Sequence, residues 1–287
     1  MTSAADVRGW LPRSEPGEDK DARGRVLVVG GSLRYSGAPL LASLGAARAG
    51  AGIVTLAVPR SLALTLAGRV PELTFLPLEE ASPGVSDASA ARAIGDALEQ
   101  GRYRALVVGP GLGHDPTTDA LVLGVLARAR VPTVVDADGL NALARTDAWP
   151  ERLPRDAVLT PHEREAARLG GEAVPAARVE WVRERSRAWR AVLLLKGACT
   201  VVASREGDVF AHDRPQPALA TAWSGDVLSG VIAALLAAGL APLRAACAGV
   251  VLQGEAAALV ATEVGTRGAS ASDLAQRLPR ALAGLAR

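Results

Sequence analysis

Continuous apolar runs, not alternating ones, set the rhythm of this chain. RVLVVGG (residues 25–31) is a short β-branched run closed by glycines, GAPLLASLGAARAGAG (37–52) reads as a helix of small residues, and IVTLAVP (53–59) returns to strand. Together they predict a βαβ unit. ALVVGPGLG, VPTVVDADGLNAL, AVLTPHEREAARL and AVLLLKGACTVVAS repeat the design, each joining an apolar run to Gly, Asp, His or Lys at its C-terminal end. Strands buried on both faces of a parallel sheet have this pattern, and their ligands lie beyond the strand C-termini. Four chemically loaded strand ends therefore predict one shared crevice. REGDVFAHD reads as a returning hairpin strand, and ALATAWSGDVLSG leads into an apolar helix running from Val227 to Pro242. From about Leu243 the chain is helical and Ala-rich. Residues 1–24, polar and rich in Pro and Gly, predict a loosely ordered leading segment. With neither linker nor repeat beyond it, residues 25–287 predict a single α/β domain.

Composition removes several function classes. At 287 residues and 49% hydrophobic content the chain can bury a substantial core. A formal charge of +2, from 32 basic and 30 acidic residues spread along the sequence, supplies no field for nucleic acid or an anionic membrane. Aromatics at 3% leave too few rings for base stacking. The two cysteines, Cys199 and Cys247, lack metal spacing and predict reduced thiols in a cytoplasmic protein. The run to Pro242 is shorter than the roughly 20 residues that span a bilayer, so no membrane association is expected.

The strand ends carry the candidate chemistry. GGSLRYSG (30–37) follows a strand but lacks G-x-G-x-x-G spacing, and the second strand ends VPR where a ribose-binding acid belongs. It is either a glycine-rich turn or a loop closing over the crevice. GPGLG (109–113) is either a sharp turn or a place where backbone meets ligand. Asp136 and Asp138 form a pair that suits Mg²⁺ bound through water, while Asp138 equally suits capping of the helix that starts at Gly139. His162, at a helix start with Glu165 about one turn on, is a donor to an anion or amide if it is not simply structural. His114 and His212 lack such neighbours and read as structural. Lys196 either reaches a phosphate or snorkels to solvent, and Gly197 lets the following backbone approach a nucleotide.

The most informative stretch is SGDVLSG (224–230). Ser224 and Gly225 open a helix whose first N–H groups lack partners and attract anions. Asp226 there is either a helix-terminal charge or a base that takes a proton from a hydroxyl attacking a phosphoryl group.

In order along the chain, GxxxxxGA (31–38), GPGLG, VDADGLNAL, TPHxxE, LKGxxT and SGDVLSG make a set that closely resembles the ADP/ATP-dependent NAD(P)H-hydrate dehydratases of the ribokinase-like superfamily. The resemblance implies a three-layer α/β/α sandwich with a mostly parallel central sheet. It implies repair of NADHX and NADPHX, the hydrated reduced cofactors, to NAD(P)H, with ADP or ATP as co-substrate and Mg²⁺ held through water near Asp136 and Glu165. It puts Ala38, Gly113, His162 and Asp226 around the hydrated dinucleotide, and Lys196, Gly197, Ala198, Cys199, Thr200 and Gly225 around the adenine nucleotide, with Asp226 as catalytic base. A homotetramer is implied, and a separate epimerase is expected because the chain is short for a fused one. A small-molecule kinase for a vitamin precursor alcohol, and a nucleotide-binding homologue impaired in catalysis, are the rival readings. One position departs from the family pattern: a glycine is usual where Trp223 stands.

Overall fold

The computed structural model describes residues 7–12, 17 and 19–285. Among these, nine strands form one sheet in the order β11-β10-β9-β8-β7-β6-β1-β2-β3. In chain order they are β1 (Arg25–Val29), β2 (Ile53–Pro59), β3 (Thr74–Leu78), β6 (Ala105–Val108), β7 (Thr133–Val135), β8 (Ala157–Leu159), β9 (Val192–Leu195), β10 (Thr200–Ala203) and β11 (Val209–His212). β4 (Glu80–Ser82) and β5 (Val85–Ser86) make a separate hairpin. Strands β3 to β9 of the main sheet are parallel to β1, while β10 runs antiparallel to β9 and to β11, so REGDVFAHD is the expected returning strand.

Both faces of the sheet are covered, which explains the continuous apolar runs. Val26, Val28, Val107, Val134, Val158 and Leu194 point to one core, and Leu27, Val29, Leu106, Val108, Val135 and Leu193 to the other. The first core lies under α1 (Gly37–Arg48), α2 (Arg60–Ala67), α8 (Ser224–Ala237), α9 (Pro242–Glu263) and α10 (Ala271–Leu285). The second lies under α3 (Ala90–Gln100), α4 (Pro116–Arg128), α5 (Asp138–Ala144), α6 (Glu163–Gly170) and α7 (Arg178–Trp189). The expected α/β/α sandwich with a mostly parallel sheet is the observed architecture.

Helix α8 is the buried spine of the first layer, with every residue from Asp226 to Ala237 buried. It packs on α1 through small residues: a Cβ on Gly230 would overlap the Ala42 carbonyl, and one on Gly45 the Val227 carbonyl. This contact fixes the start of α8 against the sheet. The apolar run expected from Val227 to Pro242 is interrupted. Gly239 takes a φ of +96°, and Pro242 opens α9 at a position where its missing N–H costs nothing. At 22 residues and mean hydropathy 1.5, α9 is long and apolar enough to cross a membrane, but 72% of that stretch is buried, packed against the sheet, α8 and α10.

The expected loosely ordered leader lies partly outside the described residues, at 1–6, 13–16 and 18. Residues 7–11 of it join the core. Val7 and Leu11 are buried, Trp10 packs beside them, and Arg244 covers the Trp10 ring at 5.2 Å. The i, i+3, i+4 spacing of these apolar residues accounts for the attachment.

Candidate functional site

The sheet reverses its strand order between β1 and β6, and the loaded strand ends open on the same side of that switch. Asp136 follows β7, Pro161 and His162 follow β8, and Lys196 follows β9, its N–H donating to the Pro161 carbonyl at 2.9 Å. The N-terminus of α8 brings Ser224, Gly225 and Asp226 against them from the other layer. Lys196 Nζ donates to Asp136 Oδ1 at 2.9 Å. A Cβ on Gly225 would come 3.0 Å from that ammonium, so glycine there allows lysine and helix start to meet.

Three carboxylates, Asp136, Glu165 and Asp226, thus share one lysine. Asp136 is 1% exposed and Asp226 8%. Burial, reinforced by the charge of Asp136 and opposed by Lys196, pushes the Asp226 carboxyl up to about 8. Burial also raises Glu165 to about 7, with Lys196 pulling against it. Burial alone would lower the Lys196 ammonium, but Asp136, Glu165 and Asp226 outweigh it and the group is raised. The lysine stays charged while Asp226 holds its proton near neutrality. Lys196 therefore does not snorkel to solvent; Asp136 anchors it at the crevice wall, where it lines both cavities.

His162 is the N-cap of α6. Its Nδ1 accepts from the amides of Arg164 at 3.1 Å and Glu165 at 3.2 Å, and Glu165 Oε2 accepts from the His162 amide at 2.9 Å. With Nδ1 an acceptor, the neutral ring carries its proton on Nε2, which lies 3.5 Å from Glu165 Oε1. Burial, then Lys196 and Arg168, hold the imidazole below its usual range. The structural and the donor readings of His162 are thus compatible.

Asp136 and Asp138 do not act as a pair. Ala137 between them has φ 49° and ψ −117°, which sends the two carboxylates to different partners. Asp138 Oδ2 accepts from Gly113 N–H at 2.8 Å and Oδ1 from Asn141 Nδ2 at 3.1 Å, so it braces GPGLG instead of capping its own helix. Among the described residues no three His, Cys, Asp or Glu gather around a point fit for a metal ion. Asp136 already serves Lys196, and Glu165 the start of α6. Such a donor set suits a hydrated Mg²⁺ carried by phosphates, not a protein cage.

Two cavities meet at the corner. An acidic crevice of about 410 Å³ is lined by Asp136, Ala137, His162, Glu165, Lys196, Gly197, Trp223, Ser224, Gly225 and Asp226. A chamber of about 430 Å³ shares Lys196, Gly197, Ser224 and Gly225, and is otherwise walled largely by Ala198, Pro215, Pro217, Leu219, Ala220, Leu228 and Val250. Of the residues expected at the nucleotide, Lys196, Gly197, Ala198, Thr200 and Gly225 line this chamber. Cys199 does not, because it packs toward the core beneath α7. Ala38, buried at the start of α1, and Gly113 line neither cavity. Ala38 follows loop 30–37 and Gly113 ends loop 109–113, and the two loops are tied by Ser32 Oγ donating to the Gly111 carbonyl at 2.8 Å.

Several residues of the site carry no local sequence signal. Gln253 of α9 donates from Nε2 to the Ser224 carbonyl at 2.6 Å and lines the chamber. His212, expected to be structural, also faces the chamber and stacks on Phe210. Arg178 donates to the Lys196 carbonyl at 3.2 Å and pairs with Glu163, clamping the 196–200 loop to the start of α6. Of the residues lining the crevice, Ala137 and Trp223 hold a positive φ without being glycine. Trp223 precedes α8 with φ 66° and ψ 8°, a left-handed conformation costing about 1–2 kcal/mol for a non-glycine residue. Its side chain is 50% exposed.

Known proteins share this frame. The family model described as NAD(P)H-hydrate dehydratase matches residues 26–280. The bifunctional NAD(P)H-hydrate repair enzyme Nnr of Moorella thermoacetica is 42% identical over 99% of this chain and 54% of its own length. The chain thus spans about half the length of this and similar bifunctional relatives. The ADP-dependent (S)-NAD(P)H-hydrate dehydratase of Xanthomonas campestris pv. campestris is 38% identical, covering 96% of this chain and 94% of that one. The ADP/ATP-dependent NAD(P)H-hydrate dehydratase of Bacillus subtilis, co-crystallised with ATP/Mg²⁺, superimposes with a TM-score of 0.83 at 31% identity, covering 98% and 96% of the two chains. Hydroxyethylthiazole kinase of Pyrococcus horikoshii, at TM-score 0.61 and 16% identity, shares the architecture alone. With its motifs assembled at one corner and its match running from the first strand to the last helix, the chain belongs to the NAD(P)H-hydrate dehydratase family.

Proposed function

We propose that this protein dehydrates the S epimer of NADHX or NADPHX at the expense of ADP or ATP, returning NAD(P)H. The observation that carries the reading is the junction of two cavities at Ser224–Gly225, next to Asp226, a buried carboxyl of raised proton affinity in the first turn of α8. The adenine nucleotide occupies the apolar chamber, its terminal phosphate at Ser224–Gly225 beside Lys196, where first-turn N–H groups and the positive helix end favour an anion. The hydrated nicotinamide ring occupies the acidic crevice, with its carboxamide within reach of the His162 Nε2–H.

Ionised Asp226 removes the proton of the ring hydroxyl as that oxygen attacks the terminal phosphoryl group, and the bond to the departing AMP or ADP breaks. The carbon–oxygen bond of the new phosphate ester then breaks, the departing phosphate takes a proton from the neighbouring ring carbon, and the electrons of that C–H bond re-form the double bond. Lys196, fixed by Asp136, balances charge without drifting from the corner. Mg²⁺, when bound, neutralises phosphate charge; Asp136 and Glu165 would receive its waters. Ala38 and Gly113 contribute through the adjoining loops, and Cys199 through its backbone. The same reading takes residues 25–287 as one domain of a cytoplasmic homotetramer.

Incubation with NADHX, Mg²⁺ and either nucleotide, followed at the absorbance of the reduced ring with phosphate release in parallel, tests this directly. Return of NADH with stoichiometric phosphate is expected. A stable phosphorylated product, or no NADH with either nucleotide, would refute it.

A further inference from the structure

The backbone at Trp223 is left-handed, its side chain makes no cap for α8, and half its surface is open. None of these properties helps the fold, and a strained residue at a crevice wall calls for a role in the crevice. Its neighbours there define that role. The remaining lining consists of carboxylates, a lysine, a histidine, a serine, glycines and Ala137, so Trp223 is the one large apolar side chain of the acidic crevice. No other Phe, Tyr or Trp lines either cavity among the described residues. Charges can fix a hydroxyl or a carboxamide, but the uncharged ring, planar along its conjugated carboxamide-bearing edge, also needs an apolar face, and an indole supplies a large rigid one at small entropic cost.

We infer that Trp223 is a specificity-determining residue, an aromatic wall against which the carboxamide-bearing ring of the hydrated dinucleotide lies while its hydroxyl faces Asp226. The inference rests on the proposed dehydration. It assigns Trp223 to the dinucleotide and not to the adenine nucleotide, because Trp223 lines the crevice and is absent from the apolar chamber. It also separates flatness from bulk, since leucine would keep an apolar group and the strained backbone but lose the ring face.

Steady-state kinetics with NADHX at saturating ADP and Mg²⁺ are compared for the wild type and for Trp223→Gly, Trp223→Leu and Trp223→Phe, with ADP binding measured by calorimetry. The Gly and Leu variants should raise KM for NADHX about tenfold and Phe no more than about threefold, with ADP affinity held within about twofold, as loss of one aromatic face predicts. An active wild type with an unchanged or lower KM in Trp223→Gly would overturn the wall while leaving the reaction intact, and Leu behaving as wild type would overturn its aromatic character. A wild type that returns no NADH with ADP or ATP would instead remove the reaction, and the wall with it.

Discussion

The acidic crevice and the apolar chamber are nearly equal in volume and share four residues, yet they are built in opposite ways. The crevice draws on strand ends and two helix starts: Asp136, His162, Glu165, Lys196 and Asp226 each sit within a few residues of an apolar run. It concentrates charge, and burial turns that charge into raised proton affinity at Asp226 and Glu165. The chamber is walled by Pro215, Pro217, Leu219, Ala220, Leu228 and Val250, gathered from the segment after β11, from α8 and from α9. It offers area and shape, with Gln253 bracing the shared corner. On the proposed reading one side moves a proton and the other holds a base and ribose, and the helix start between them serves both.

The comparison breaks most sharply at Asp226. Replacing it with Asn keeps the volume and the hydrogen-bonding capacity of the side chain but removes the proton acceptor. Turnover should fall by about 10²–10⁴-fold, the usual contribution of a positioned base, with ADP affinity in calorimetry nearly unchanged. Near-normal turnover would remove Asp226 from the chemistry and return it to the role of a helix-terminal charge. The complementary cut is Ala220→Trp, which fills the chamber from an exposed position without touching a carboxylate. It should raise the nucleotide KM by about tenfold or more while KM for NADHX stays close to wild type, since only the apolar binding area is lost. A matching rise in both constants would mean that the cavities are not separate sites.

Why one side is more legible than the other follows from the same contrast. A parallel strand ends in the sequence where it ends in space, so VDAD, TPHERE and LKG announce the crevice locally, and SGD announces the helix start. The chamber depends on how α9 lies against the returning hairpin, and nothing near Gln253 or His212 in the sequence records that packing. Local reading also failed where backbone conformation decided the outcome. The positive φ of Ala137 splits Asp136 from Asp138, and no residue-type rule predicts an alanine in that conformation. Arg178 lies in a helix of ordinary charged composition, and its hold on the Lys196 carbonyl is visible only once α7 packs on the sheet.

pH separates the two sides more gently. In the free enzyme Asp226 must lose its proton to act, so kcat/KM should climb with pH and level off above about 8, while ADP affinity, set largely by the apolar chamber, should change less over the same range. Stability moves the other way. The carboxyl is raised in the folded protein and ordinary in the unfolded chain, so between about pH 4 and 8 the folded state binds more protons and loses stability as pH rises, by at most ~1.4 kcal/mol per unit. Asp226→Asn should therefore melt progressively higher than wild type across this range, and parallel melting curves at all pH values would contradict the raised proton affinity.

The smallest effect expected is a gain in stability at the crevice mouth. Trp223 holds a left-handed backbone at about 1–2 kcal/mol above what glycine would need, and glycine returns part of that difference through the greater freedom of its unfolded chain, about 0.4–1 kcal/mol. Little packing offsets the balance, because half of the indole already faces solvent. Trp223→Gly should thus be more stable than wild type by up to about 1 kcal/mol in denaturant titration, with the midpoint rising and the slope unchanged. Stability and dinucleotide KM would then rise together in a single variant, the mark of a residue kept for its contact with substrate against the interest of the fold. A loss of stability on the same change would place the indole in the packing of the corner, and the strain at Trp223 would have to be repaid by contacts that its exposure conceals.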